Sequence, residues 1–89
     1  MPSRTLQIVN KLGLHARAAA KLTQIAGGFT SEIHISRSGR RVNAKSIMGV
    51  MMLAAGQGTS VLVEAKGDDA EAALTAIARL VAERFGEAE

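Results

Sequence analysis

Lys11-Leu12-Gly13-Leu14-His15-Ala16-Arg17-Ala18-Ala19-Ala20-Lys21-Leu22 is the stretch on which the reading of this chain turns. Ahead of it, Thr5-Leu6-Gln7-Ile8-Val9-Asn10 reads as a first strand, with Leu6 and Ile8 on one face. Lys11 to Leu14 is a loop containing Gly13, and a helix is predicted from about Ala16 to Ala26. Its apolar stripe is Ala18, Ala19, Leu22, Ile25 and Ala26, at helical spacing. Ala16, Ala20, Lys21 and Gln24 fall on the other side, and Gly27-Gly28 supplies the stop. His15 therefore stands where a strand and loop hand over to a helix.

That position has chemical consequences. The first amides of a helix lack intrahelical acceptors, and the macrodipole makes that end partly positive. An anion placed there meets free donors and a favourable field. Histidine exchanges a proton near neutral pH, and as a neutral imidazole it can act as a nucleophile. Arg17 adds a guanidinium fork suited to phosphate oxygens. Together these residues suggest a phosphoryl group carried on His15. Spacing alone makes this a weak pattern: a histidine before a helix is commonly a solvated cap, and an arginine in a first turn is commonly surface.

Outward from this stretch, the chain alternates short elements. Phe29 to Arg37 reads as a second strand, with Ile33 and Ile35 facing one way and Glu32, His34 and Ser36 the other. Ser38-Gly39 is a two-residue hairpin turn, and Arg40-Arg41-Val42-Asn43 returns as a third strand. A second helix is expected over roughly Ser46 to Ala54, and a fourth strand over Thr59 to Lys66, with Val61, Val63 and Ala65 on one face. Asp68 is expected to start a third helix, with Glu71 three residues on in a capping box. Ala70, Ala73, Leu74, Ile77, Leu80, Val81 and Phe85 form its predicted buried stripe. The order βαββαβα, with short turns and period-2 strands, predicts an α+β fold: an antiparallel sheet with helices on one face. Strand order does not follow from the pattern, because a ferredoxin-like arrangement shares the first six elements.

Charge is unevenly spread. Residues 1–63 hold eight Lys/Arg and one acid, Glu32, whereas residues 64–89 hold seven acids and three bases, so a net +3 conceals a basic first part and an acidic last third. A basic face steers acidic partners or phosphate groups toward itself. The chain has no cysteine, which removes disulfides and thiolate metal sites and suits a reducing cytoplasm. His15 and His34 alone make no metal site, since they lack further ligands and helical pairing. No apolar stretch resembles a signal peptide or a membrane span, and no cofactor motif is present. At 89 residues, one domain over 1–89 is expected.

The run Asn10 to Arg17, NKLGLHAR, resembles the active-site segment of the histidine-containing phosphocarrier proteins, HPr, of bacterial phosphotransferase systems. Lys45-Ser46-Ile47-Met48-Gly49-Val50-Met51 resembles the regulatory serine segment of the same family, and the similarity covers nearly the whole chain. One position departs: the family usually has proline directly after the motif's arginine, and here that residue is Ala18. Proline pre-sets helical φ in a first turn, and alanine leaves the turn less fixed. The resemblance implies an open-faced sandwich, a four-stranded antiparallel sheet of order 1-4-2-3 with three helices on one face. It implies a carrier rather than an enzyme of independent turnover. Phosphorylated enzyme I, charged from phosphoenolpyruvate, would load His15 on Nδ1, and an enzyme IIA-type acceptor would unload it. Arg17 and the amides near Ala16 and Arg17 would hold the phosphate.

The second helix is apolar nearly all round, through Ile47, Met48, Val50, Met51, Met52 and Leu53. Val50 and Leu53 are assigned to the core; for Met48, Met51 and Met52, core and docking readings stand about even. Methionine suits an interface that accepts several partners. The resemblance implies a docking surface of Ala16, Arg17, Ala20, Lys21, Gln24, Ile47, Met48 and Met51. Ser46 is read as an N-cap, worth about 1 kcal/mol. The resemblance adds regulatory phosphorylation there by a serine kinase/phosphorylase, with Lys45 beside the phosphate. Two other functions are considered. A small basic RNA-binding module would stack bases on sheet aromatics, but the chain has only Phe29 and Phe85 and no Tyr or Trp. A purely regulatory protein read through Ser46 would not need His15. The expected protein is a cytoplasmic monomer that binds no nucleic acid and does not insert into membranes.

Overall fold

The computed structural model describes residues 1–89. Its elements run β1 (Ser3–Gln7), α1 (Ala16–Gly27), β2 (Glu32–Arg37), β3 (Arg40–Asn43), α2 (Ile47–Met52), β4 (Ser60–Lys66) and α3 (Ala70–Ala82), followed by a 3₁₀ turn at Arg84–Gly86. The four strands form one sheet in the order β1-β4-β2-β3. Every pairing is antiparallel, with Leu6 opposite Val61, Ile35 opposite Val63 and Ile35 opposite Val42. The α+β class and the open-faced sandwich are as expected, and so is the strand order that the family resemblance implied.

Alternation places the core. Ile33, Ile35, Val61, Val63 and Ala65 project from one face of the sheet and are fully buried. They meet Ala19, Leu22 and Ala26 of α1 and Ala73, Leu74 and Ile77 of α3 in one hydrophobic cluster. Each large aliphatic side chain so buried contributes about 1.5–3 kcal/mol relative to exposure. Val50 and Leu53 of the second helical segment join the same core. The other face of the sheet carries His34, Glu64 and Arg41, with Arg41 Nε donating to Glu64 Oε1 at 3.3 Å.

Several boundaries differ from the sequence reading, for physical reasons. β1 begins at Ser3 and ends at Gln7, beyond which Ile8 and Asn10 are completely buried while Val9 between them stays exposed. β2 begins only at Glu32: Thr30 and Ser31 are held instead by the Asp69 carboxylate, which accepts from the Thr30 amide at 2.8 Å and the Ser31 amide at 3.0 Å. That same bonding removes the expected capping box. Asp69, not Asp68, occupies the N-cap of α3, and its side chain makes no capping bond. α2 is shorter than expected, and the chain leaves it through Ala54 at φ 51. α3 stops at Ala82, so Phe85 is buried from a turn, not from a helix. Gly27-Gly28 ends α1 without a left-handed residue, Gly28 having φ −77. Ile25 is exposed and Leu80 only partly covered, although both fall in the expected buried stripes.

Candidate functional site

The loop ahead of α1 is fixed from below. Gly13 adopts φ 65, and a Cβ there would lie 2.4 Å from the Ala55 carbonyl oxygen. Only glycine allows that approach without strain. The adjacent Leu14 amide donates to the same Ala55 carbonyl at 2.9 Å, and Leu14 is buried. Asn10 supports the loop from inside: its Nδ2 donates to Gly13 O at 2.8 Å and to Glu87 Oε1 at 3.0 Å. His15 then takes the N-cap position of α1 in extended backbone, φ −73 and ψ 178. Its carbonyl accepts from the Ala19 amide at 2.8 Å, the first bond of the helix. Its ring caps nothing, so the amides of Ala16, Arg17 and Ala18 have no acceptor.

The ring is engaged elsewhere. His15 Nε2 lies 2.5 Å from Glu87 Oε2. Glu87 arrives from the C-terminal segment, which reverses through three successive residues of positive φ: Arg84 (56), Phe85 (55) and Gly86 (78). Left-handed backbone costs a side-chain-bearing residue about 1–2 kcal/mol. Burial of the whole Phe85 ring offsets it. Lys21 Nζ ties the turn to α1 by donating to the Phe85 carbonyl at 2.6 Å. The Asn10 amide, then the His15 ring, hold the Glu87 carboxyl below the usual glutamate range, against the opposing effect of burial, and Lys21 adds a smaller push the same way. Further out, the Lys11 amide donates to Glu89 O at 2.8 Å.

An open groove runs over this centre, lined by Leu12, His15, Ala16, Arg17 and Glu87. Arg17 is exposed and its guanidinium makes no hydrogen bond within the protein. The nucleophile candidate, three unfilled amides and a free guanidinium thus border one groove. Such a set can receive a phosphoryl group and hold its oxygens by charge-assisted bonds. It presents no metal-binding cluster.

The remaining residues of interest lie on α1 and α2, which pack against each other. Ala16 and Gln24 are exposed, and Ala20 and Lys21 half-buried. On α2, Ile47, Met48 and Met51 are exposed, Met48 by 71%. Met52 is exposed as well, while Val50 and Leu53 are buried, as expected. Ser46 is the N-cap of α2, and its Oγ accepts from the Gly49 amide at 3.1 Å. Lys45 reaches away from Ser46 and donates to Phe29 O at 2.8 Å. Asn10 and Glu87 were missed in the sequence. Phe85-Gly86 was the available sign of a turn there, and it was read through as helix.

The family described as "PTS HPr component phosphorylation site" matches residues 2–83. The chain belongs to the HPr family. It is similar to the phosphocarrier protein HPr of Cupriavidus necator, at 60% identity over 89 residues covering all of both chains. It is also similar to the phosphocarrier protein NPr of Shewanella violacea, at 47% identity, covering 96% of this chain and 93% of that one. Among solved structures, HPr-C-His from Thermoanaerobacter tengcongensis superposes with a TM-score of 0.96 at 46% identity, covering both chains completely. Within the HPr family the departure at Ala18 has a structural answer. Ala18 is fully buried in the first turn of α1, which forms without the proline. The four strands and three helices are those of the HPr fold, and no helix is long and apolar enough to cross a membrane.

Proposed function

We propose that this HPr-family chain is a phosphoryl shuttle whose load travels on His15. Phosphorylated enzyme I, charged from phosphoenolpyruvate, donates to the ring, and an enzyme IIA-type domain accepts from it. The observation that carries the reading is His15 at the N-cap with its ring turned away from the cap, beside three amides without acceptors. In the transfer, the His15 Nδ1 lone pair forms a bond to phosphorus while the bond between phosphorus and the donor's nitrogen breaks, its electron pair leaving with the donor. Ala16 and Arg17 amides and the Arg17 guanidinium receive the phosphate oxygens. The groove is open, so the group stays accessible to the next acceptor. The protein turns over nothing by itself and is a cytoplasmic monomer acting between partners.

The docking surface in this reading is Ala16, Arg17, Ala20 and Gln24 with Ile47, Met48 and Met51, a mixed apolar and basic face for acidic partners. Lys21 contributes its aliphatic stem, since its ammonium is committed to Phe85 O. Ser46 phosphorylation by a serine kinase would add about two negative charges beside Ile47 and Met48. Incubation with phosphoenolpyruvate and enzyme I tests the assignment. His15→Ala is expected to fold normally and take up no acid-labile phosphate; label on that variant removes His15 from the role. Adding candidate acceptors of sugar uptake and of nitrogen control identifies the branch.

A further inference from the structure

The contact between His15 and Glu87 carries more than anchorage. We infer that Glu87 is a positioning residue that keeps the imidazole proton on Nε2 and thereby leaves Nδ1 as the bare nucleophile. The inference rests on the reading of His15 as the phosphoryl acceptor and names what sets the ring up for it.

An ionised carboxylate only accepts hydrogen bonds. Glu87 Oε2 stands 2.5 Å from Nε2, so that nitrogen must supply the hydrogen. Glu87 is kept ionised from its other side, where Asn10 Nδ2 donates to Oε1 at 3.0 Å. The orientation of the Asn10 amide is fixed by its surroundings. Nδ2 faces two acceptors, Glu87 Oε1 and Gly13 O, and the reversed amide would press Oδ1 against both. Asn10 is completely buried, and its Oδ1 has no partner, a deficit tolerated while Nδ2 serves both oxygens. A neutral imidazole has one N–H. With that proton on Nε2, Nδ1 offers a lone pair, and Nδ1 makes no hydrogen bond in the structure.

The arrangement also serves the transfer itself. As Nδ1 bonds to phosphorus, the ring becomes positive, and the charge spreads to Nε2–H, directly against the carboxylate. When the group departs, the acceptor's own lone pair forms the new bond to phosphorus and the electron pair of the N–P bond returns to Nδ1. The proton remains on Nε2 throughout. A carboxylate behind an imidazole plays the same part in hydrolytic triads, where it fixes the tautomer and steadies the imidazolium.

Glu87→Gln separates this role from simple anchorage. The carboxamide would turn its oxygen to Asn10 Nδ2 and its NH₂ to His15 Nε2. That donor makes Nε2 an acceptor and moves the ring proton to Nδ1, blocking the nucleophile. Glu87→Ala merely removes the preference. The experiment measures initial charging rates by phosphorylated enzyme I and the His15 tautomer by ¹⁵N NMR at a pH where the ring is neutral, for wild type, Glu87→Gln and Glu87→Ala. Glu87→Gln is expected to charge about 100-fold more slowly and to show the Nδ1–H tautomer. Glu87→Ala is expected to lose about 10-fold or less, with mixed tautomers. Glu87→Gln charging as fast as Glu87→Ala, or one tautomer common to all three proteins, overturns the inference. A wild type that takes no phosphoryl group refutes the carrier reading instead, and the tautomer comparison still decides the part of Glu87.

Discussion

Arg17 borders the groove over His15 with its guanidinium unengaged. A group held ready in this way matters when charge develops, not when the protein folds. Arg17→Ala is therefore expected to keep its stability within about 0.5 kcal/mol. It should still take the phosphoryl group, but with transfer to and from both partners slowed by about 10–100-fold. Rapid-quench transfer assays check this, and wild-type rates in both directions would reduce Arg17 to surface. Ser46 is the opposite kind of residue, since its Oγ already accepts from the Gly49 amide. Ser46→Ala should lose about 1 kcal/mol in denaturant titration and charge normally. Ser46→Asp keeps an acceptor at the cap and adds charge beside Ile47 and Met48, so it should melt near wild type and be charged several-fold more slowly, about 3–10-fold by like-charge and desolvation effects. Equal charging of wild type and Ser46→Asp would leave Ser46 as a cap alone.

At the scale of elements, the loop before α1 depends on one close approach. Gly13→Ala would drive a Cβ to 2.4 Å from Ala55 O at a φ of 65. The expected loss is about 2–4 kcal/mol, with His15 displaced and charging slowed together, read by thermal melts and the labelling assay. α2 is held at both ends: Ser46 caps one, while Arg37 and Arg40 donate to the carbonyls of Leu53 and Met52, each at 3.0 Å. Six residues would not hold a helix unaided. These details explain what the sequence disclosed. Periodicity records which face a residue presents, so the sheet faces, most of the stripes of α1 and α3, and the burial of Val50 and Leu53 were legible, while Met48, which stood even between core and surface in the sequence, is exposed. Caps and boundaries answer to partners far along the chain. Asp69 forsakes its own helix for Thr30 and Ser31, and nothing local announces it. The placement of His15 and Arg17 at the start of α1 was legible because a loop-to-helix joint is a local event. Glu87 was not, because its partners Asn10 and His15 lie at the other end of the chain.

For the molecule as a whole, acid should act through two carboxylates that tie distant segments. The Ser31 hydroxyl, then the Thr30 amide, lower the Asp69 carboxyl to about 2. A carboxyl depressed in the folded state adds stability that is complete above its ordinary value and is lost as the pH falls toward the folded one. For Asp69 the window runs from about 4 down to about 2. The Glu87 shift has the same direction and so the same sign. Urea midpoints should be level near neutrality and fall through that window, and Asp69→Asn should flatten the fall while lowering the neutral midpoint. A fall of equal steepness in the variant would discount the tie. The strand order has a consequence for how the protein comes into being. β4 lies between β1 and β2, so Ser3–Gln7 must wait for Ser60–Lys66 before it has a neighbour in the sheet. Such distant pairing forms late and slowly compared with neighbouring hairpins. On a ribosome, the nascent chain can hold the β2–β3 hairpin and little else until most of it has emerged. The carboxylate beside His15 comes later still, so the contact that holds the His15 ring cannot form until synthesis has passed residue 87.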